Sequence, residues 1–152
     1  MDAEKQVAAA VHRHYWQEDI NCARTMLAIL AALDGRPVPA AVMKAAVGMH
    51  GAGGFGAQCG LVEGALMYIG LAADNAGLSE ETAVETCREY AAAFADRFGS
   101  LLCRELRPEG FGPDNPPHLC EGRTVAAVVF AIEFLTGRGL IVRRRPDGGH
   151  GG

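Results

Sequence analysis

The sequence predicts an all-α fold, a single compact bundle of about six helices around one central buried helix. Three observations predict it. First, the run Leu61 to Ala73 is apolar on nearly every side, broken only by Glu63 and small residues. A helix that is apolar all round is buried. This run is too short, and too closely flanked by polar residues, to cross a bilayer. Second, Val84, Cys87, Ala91, Phe94 and Phe98 recur at spacings of 3, 4, 3 and 4, the stripe of a helix with one face inward. Third, helix start and stop residues punctuate the chain between such runs.

The 152 residues suffice for one domain with a real core, and no repeat or second domain is visible. Residues 1–142 read as that domain and residues 143–152 as a flexible tail. The net charge of −4 supplies no general basic field for nucleic acid. The one basic run, Arg143 to Arg145, reads as a solvated end. The N-terminus opens with acids and lacks the apolar core and cleavage site of a signal peptide, which points to a cytoplasmic protein without membrane insertion. An alanine-rich apolar bundle also suits a homodimer.

Taken in order, Ala3 to Tyr15 reads as a short helix with Val7, Ala10, Val11 and His14 on one side. Trp16 to Asp19 is a break, with Asp19 placed to cap the next helix, Ile20 to Leu33. Cys22 falls in its first turn. Asp34-Gly35-Arg36-Pro37 stops it, because Gly accepts the left-handed conformation at a helix end and Pro cannot continue a helix. Pro39 opens a third helix, in its first turn, that runs to about Gly48.

A glycine-rich loop follows, with Gly51, Gly53, Gly54 and Gly56, and leads into the central helix. Glycines allow positive φ and close approach to bare backbone. The loop does not match the GxxxxGK[ST] phosphate loop, and no strand precedes it. Cys59 is placed in the first turn of the central helix, where unpaired N–H groups and the helix dipole favour a thiolate. Gly60 and Gly64 share a face and let a neighbouring helix come close. Ser79 caps the fifth helix, with Glu80 and Glu81 in its first turn, and Gly99 ends it. Leu101 to Leu106 is a short apolar turn carrying Cys103. The Pro- and Gly-rich RPEGFGPDNPPH is loop. Cys120 stands at the start of the last long helix, about Cys120 to Thr136, whose core face is Val125, Val128, Val129, Ile132 and Leu135. Leu140 to Val142 reads as a short extended end.

The five cysteines carry the chemistry. No CxxC, CxxCH or HExxH is present, so the common zinc, haem-attachment and metalloprotease signatures are absent. Cys87 sits in a core stripe, where a free cysteine acts as a small hydrophobe. Cys22, Cys59 and Cys120 each fall near a helix start, and Cys103 follows a helix end. Helix starts that meet at one point stabilise thiolates, or the negative charge of an iron–sulfur cluster held by four of them.

The segments Asn21-Cys22-Ala23, Cys59-Gly60-x-x-x-Gly64 after a glycine loop, Cys103-Arg104-Glu105-Leu106 and Cys120 resemble the C_GCAxxG_C_C family of redox-active proteins. The resemblance covers most of the chain, from Asn21 to Cys120 and into the last helix. It implies a site at Cys22, Cys59, Cys103 and Cys120, with Gly60 and Gly64 as the companion glycines beside any bound group. One departure is plain: the pattern has alanine where this chain has Leu61. A related domain in split-Soret cytochromes is linked with an iron–sulfur centre and haem. The haem part does not carry over, because there is no CxxCH.

Two kinds of function follow. One is a redox protein serving a partner that the sequence does not name. In it the four cysteines either hold a [2Fe–2S] or [4Fe–4S] cluster for electron transfer or cycle between dithiol and disulfide. In the disulfide form Cys59 is the attacking thiolate and Cys22 the resolving partner. Glu63, one turn on from Cys59, is placed to take a proton or to pair with a basic residue. The other is a zinc-binding structural or interaction module that uses the same cysteines, with His50 or His118 able to replace one thiolate. Hydrolases fare worse: no Gly-x-Ser-x-Gly elbow is present, and a Cys–His pair of Cys59 with His50 or His118 lacks an orienting third group.

Overall fold

The structure is a computed structural model, and it describes residues 2–110 and 118–142. The tail 143–152 with Arg143 to Arg145, and most of the Pro- and Gly-rich loop (111–117), lie outside the described residues. The fold is all-α, with no strand among the described residues; the one β-type contact is an isolated bridge between Gln58 and Leu102. Five long helices build the bundle: α1 (Ala3–His12), α2 (Cys22–Asp34), α5 (Gly60–Asn75), α6 (Glu80–Phe98) and α8 (Glu121–Gly137). Between them lie three short ones: α3 (Ala40–Ala45), the single turn α4 (Gly51–Gly54) and α7 (Cys103–Leu106). No helix of the described residues is long and apolar enough to cross a membrane.

The centre of the bundle is α5, as its sequence predicts. Leu61, Val62, Ala65, Tyr68 and Ile69 are all buried, and the helix packs on α2, α6 and α8. Its closest neighbour is α2, and the two companion glycines explain why. A β-carbon on Gly64 would stand 2.3 Å from the Ala23 carbonyl oxygen, and one on Gly60 would stand 3.0 Å from the Ala23 nitrogen. Only bare backbone lets the helices lie this close.

Several boundaries differ from the sequence reading. The predicted break at Trp16 is instead a continuation: Arg13–Gln17 winds on as a π-helical segment. Asn21, not Asp19, caps α2, and its side-chain oxygen accepts from the Arg24 N–H. An Asn cap two residues later satisfies the orphan donor equally well. Pro39 caps α3 instead of lying in its first turn, and the segment to Gly48 closes as a 3₁₀ turn. Val84 does not belong to the buried stripe of α6, being 68% exposed; that face is led by Tyr90 and Phe94. Those two rings meet Phe130 and Phe134 of α8, with Tyr90 edge-on to Phe134 at 5.2 Å. Aromatic contacts of this geometry add to plain burial. Leu140 and Ile141 are buried at the end of the described chain without forming a strand, and the Leu140 carbonyl accepts from the Tyr68 hydroxyl.

The glycine loop is unusual in its handedness. Gly51, Ala52, Gly53 and Gly54 have φ of 67°, 53°, 68° and 87°. The single turn α4 is therefore wound to the left. It returns to the right-handed sense at Phe55 and delivers the chain to Cys59.

Candidate functional site

Each of the four family-pattern cysteines stands at the start of a helix. Cys22 is the first residue of α2 and Cys103 the first of α7; Cys59 caps α5 and Cys120 caps α8. Two of these placements correct the sequence reading. Cys59 precedes its helix and does not lie in the first turn. Cys103 begins a short helix, where the sequence suggested only a turn.

The loops hold these helix starts together by backbone hydrogen bonds. The Cys59 N–H donates to the Leu101 carbonyl at 2.8 Å, and the Cys103 N–H donates to that of Ala57 at 2.7 Å. The left-handed turn lies directly against this pair of segments. A β-carbon on Gly51 would meet the Cys103 β-carbon at 2.9 Å, so Gly51 leaves the room that Cys103 occupies. On the other side, a β-carbon on Gly60 would stand 2.2 Å from the Cys22 sulfur. The companion glycines are thus the residues that let α2 carry its cysteine up against α5.

All four cysteines line one cavity of about 330 Å³. Cys87 does not line it: it is half-buried on α6 and its thiol faces the Leu66 carbonyl at 3.9 Å. His50 and His118 both reach the wall. His50 Nδ1 lies 3.3 Å from the Asn21 side-chain nitrogen. The His118 ring stacks on Tyr15, with centroids 4.8 Å apart, and its Nε2 is 3.7 Å from the Asp19 carboxylate. Glu63 is not part of the wall. Its partner is the Gln58 amide, not a basic side chain, and burial raises its carboxyl against the effect of that bond.

Four of the wall residues that the sequence reading missed bear on its chemistry. Three are arginines, Arg24, Arg107 and Arg123. The guanidinium of Arg107 reaches the Cys120 sulfur at 3.9 Å, and the Arg24 Nε is buried without a hydrogen-bond partner. Arg24 lies one turn on from the Asn21 cap and Arg107 just ends α7. Their spacing to the cysteines gives a sequence-level signal that only the fold makes readable. The fourth is Tyr15, carried by the π-helical segment.

The electrostatics overturn one expectation. A helix start was expected to lower the Cys59 thiol. The backbone N–H groups of Leu61 and Val62 do pull it down, but burial wins and pushes it up to about 11, with Cys103 and Cys120 adding to the rise. Cys22 is pushed up to about 12, first by burial and then by Cys59, Cys103 and Cys120. Cys103 is raised by burial and by Cys120, against Arg107 and Arg123. Each of these three thiols thus resists becoming a thiolate, through burial and the sulfurs beside it.

This has a consequence for stability in the metal-free, reduced protein. An acid whose folded value is raised leaves stability intact while both states are protonated, below about pH 9. Stability is lost as pH climbs toward 11 to 12, because the unfolded chain ionises first. The slope is about 1.4 kcal/mol per pH unit for each such thiol. Denaturant unfolding under reducing conditions at pH 8, 9 and 10 is expected to show this fall, and Cys22→Ser is expected to flatten it. An equal slope in that variant would mean the Cys22 thiol is not held neutral by the fold.

Thiol donors in a set of four suit soft or borderline metals and iron–sulfur clusters. Among the described residues no group of three or more His, Cys, Asp or Glu side chains is gathered tightly enough to hold a metal ion as it stands. A single zinc ion needs four sulfurs at about 2.3 Å from one point. The four cysteines share the wall of this cavity with three arginines.

The family model described as "Putative redox-active protein (C_GCAxxG_C_C)" matches residues 20–134, which takes in all four cysteines. No curated protein and no solved structure matches the chain.

Proposed function

The chain belongs to the C_GCAxxG_C_C family of redox-active proteins, and from that premise we propose that Cys22, Cys59, Cys103 and Cys120 hold an iron–sulfur cluster for electron transfer. The observation that carries this reading is the shared cavity: four helix-start cysteines from four separate segments line one arginine-bearing space. When bound, such a cluster supplies one-electron exchange with a redox partner.

The chain's own residues do the rest. The Leu61 and Val62 N–H groups at Cys59, and the Ala23 N–H at Cys22, favour the ionised sulfur that a ligand must be. Arg107 and Arg123 favour it at Cys103. Against them stand burial and the mutual repulsion of the sulfurs. Coordination would offset both at these cysteines, because a thiol that ligates a metal would give up its proton outright. Apolar neighbours such as Leu61 and Leu106, both buried, keep bulk water from the inner wall.

The dithiol–disulfide form draws less support. Exchange needs an accessible thiolate, whereas Cys59 is 6% exposed and its thiol is raised.

The test is anaerobic purification without an affinity metal, followed by a visible spectrum and iron, sulfide and zinc content. A brown protein with iron and sulfide near stoichiometry is the expected result. Zinc alone would replace the cluster by the structural module. A colourless, metal-free protein that loses thiols in pairs on mild oxidation would replace it by the disulfide cycle, with Cys59 and Cys22 as the first pair to examine.

A further inference from the structure

The cavity wall gathers positive charge in a chain of the opposite sign. The net charge of the protein is −4, yet Arg24, Arg107 and Arg123 line the same space as the four cysteines. Among the described residues of the wall the single carboxylate is Asp19, whose side chain is 90% exposed and lies 3.7 Å from His118. Glu121 follows Cys120 in sequence but is not in the wall. It is bound instead to His12 at 2.8 Å and to the Trp16 indole at 3.0 Å.

Four arginines elsewhere are neutralised: Arg13, Arg36, Arg88 and Arg138 each meet a carboxylate. Arg24 and Arg123 have no carboxylate partner among the described residues. The Arg24 Nε is, besides, buried without a hydrogen-bond partner. An N–H left unpaired in the interior is costly, most of all on a charged group, and a bound acceptor removes that cost. Arg107 is fixed by its Nε, which donates to the Gly110 carbonyl at 2.8 Å, and its Nη1 lies 3.9 Å from the sulfur of half-buried Cys120.

We propose that in the reduced, metal-free protein this cavity binds a small anion with paired oxygens, a carboxylate or an inorganic oxyanion, recognised by the guanidiniums of Arg24, Arg107 and Arg123. A planar guanidinium meets two such oxygens at once. At about 330 Å³ the cavity is at the small end of ligand pockets, which run to about 1,000 Å³, and so suits a guest of few atoms. The inference does not rest on the metal-centre reading, since it needs only the wall and its charges. A cluster would claim the same space, so the anion belongs to the metal-free protein.

The test compares two alkylating reagents of nearly equal size on the full chain, reduced and stripped of any metal. Iodoacetate carries a carboxylate and iodoacetamide is neutral; each forms a carbon–sulfur bond and releases iodide. Ordinary thiols react faster with iodoacetamide. Cys87 is half-buried like Cys120 but stands outside the wall, and serves as the internal control. Peptide mass spectrometry reads each site. At Cys120 the preference is expected to invert in favour of iodoacetate, while Cys87 keeps the ordinary order. Phosphate, sulfate or malonate is expected to protect Cys120 in a saturable way, against chloride at equal ionic strength, and to leave Cys87 unprotected. Whichever protects at the lowest concentration separates an inorganic oxyanion from a carboxylate.

Arg24→Gln and Arg123→Gln are each expected to lower the ratio of the iodoacetate rate to the iodoacetamide rate at Cys120 about tenfold. Arg123 is exposed, so its variant leaves the packing alone, and anion protection of the wild type needs no variant. Equal preference at Cys120 and Cys87 overturns the inference. So does a ratio unmoved in both variants, which would mean that the arginines act on the thiol or the fold and not on a guest. A Cys120 that neither reagent reaches overturns it as well, because the cavity would then be closed. Iron content of the protein as purified tests the metal-centre reading separately.

Discussion

Gly64→Ala is expected to lower the thermal midpoint by about 4 to 8 °C, one of the two largest effects foreseen for a single substitution here. The added β-carbon would stand 2.3 Å from the Ala23 carbonyl oxygen and 3.0 Å from its carbon. Both are backbone atoms of α2, so no side chain can swing aside. The helices must part, and overpacking of this kind costs about 3 kcal/mol or more when backbone has to move. The gain in helix propensity from Gly to Ala, about 1 kcal/mol, does not offset it. Gly70 gives the control: it lies on the same helix with nothing within 4 Å of an added β-carbon. Gly70→Ala is expected to leave the midpoint unchanged or to raise it. Thermal unfolding of the two variants side by side decides the matter. Equal midpoints would mean that α2 and α5 are not in the close contact described.

The second large effect concerns bound metal. Serine at Cys22, Cys59, Cys103 or Cys120 is expected to cut the iron recovered after anaerobic purification to roughly a tenth or less, because a four-thiolate site loses a ligand in each case. Cys87→Ser is expected to keep its iron, since that thiol lies outside the cavity wall and faces only the Leu66 carbonyl. Its cost should be confined to stability, within about 1 kcal/mol for a half-buried side chain. Iron content per chain, with circular dichroism to confirm folding, separates the two groups. Full iron in any of the four variants would remove that cysteine from the site, and loss of iron in Cys87→Ser would require the site to be redrawn.

Much of the fold was legible because its signals are local. An apolar run without a polar face marked α5, Ser79 and Gly99 bounded α6, and Gly35 stopped α2. The cysteines were legible as a set from the resemblance, and from their shared position near helix ends. What the sequence withheld was non-local. The π-helical winding of Arg13–Gln17 has no residue signature, and it is what turns Tyr15 into the cavity wall. The arginines were unreadable for the same reason, since Arg24, Arg107 and Arg123 come to one cavity wall only when the chain has folded. The thiol electrostatics were misjudged because a helix start acts through one or two N–H groups. Burial and the neighbouring sulfurs act only once the chain has folded.

The left-handed turn at Gly51–Gly54 bears on how this stretch can drift by mutation. Its glycines look like the currency of a ligand loop, but what selects them is chirality. An L-residue wound to the left brings its β-carbon against a carbonyl oxygen, at roughly 1–2 kcal/mol for each position. Ala52 already carries that strain, with φ of 53°. A library of codons across positions 51–54, sorted only for folded protein, should therefore return glycine alone at 51, where Cys103 leaves no room for a β-carbon, and glycine, then asparagine and aspartate, at 53. A mirror-image alanine, introduced at Gly53 by chemical synthesis, should give a more stable protein than its natural counterpart, since nothing lies within 4 Å of an added β-carbon there.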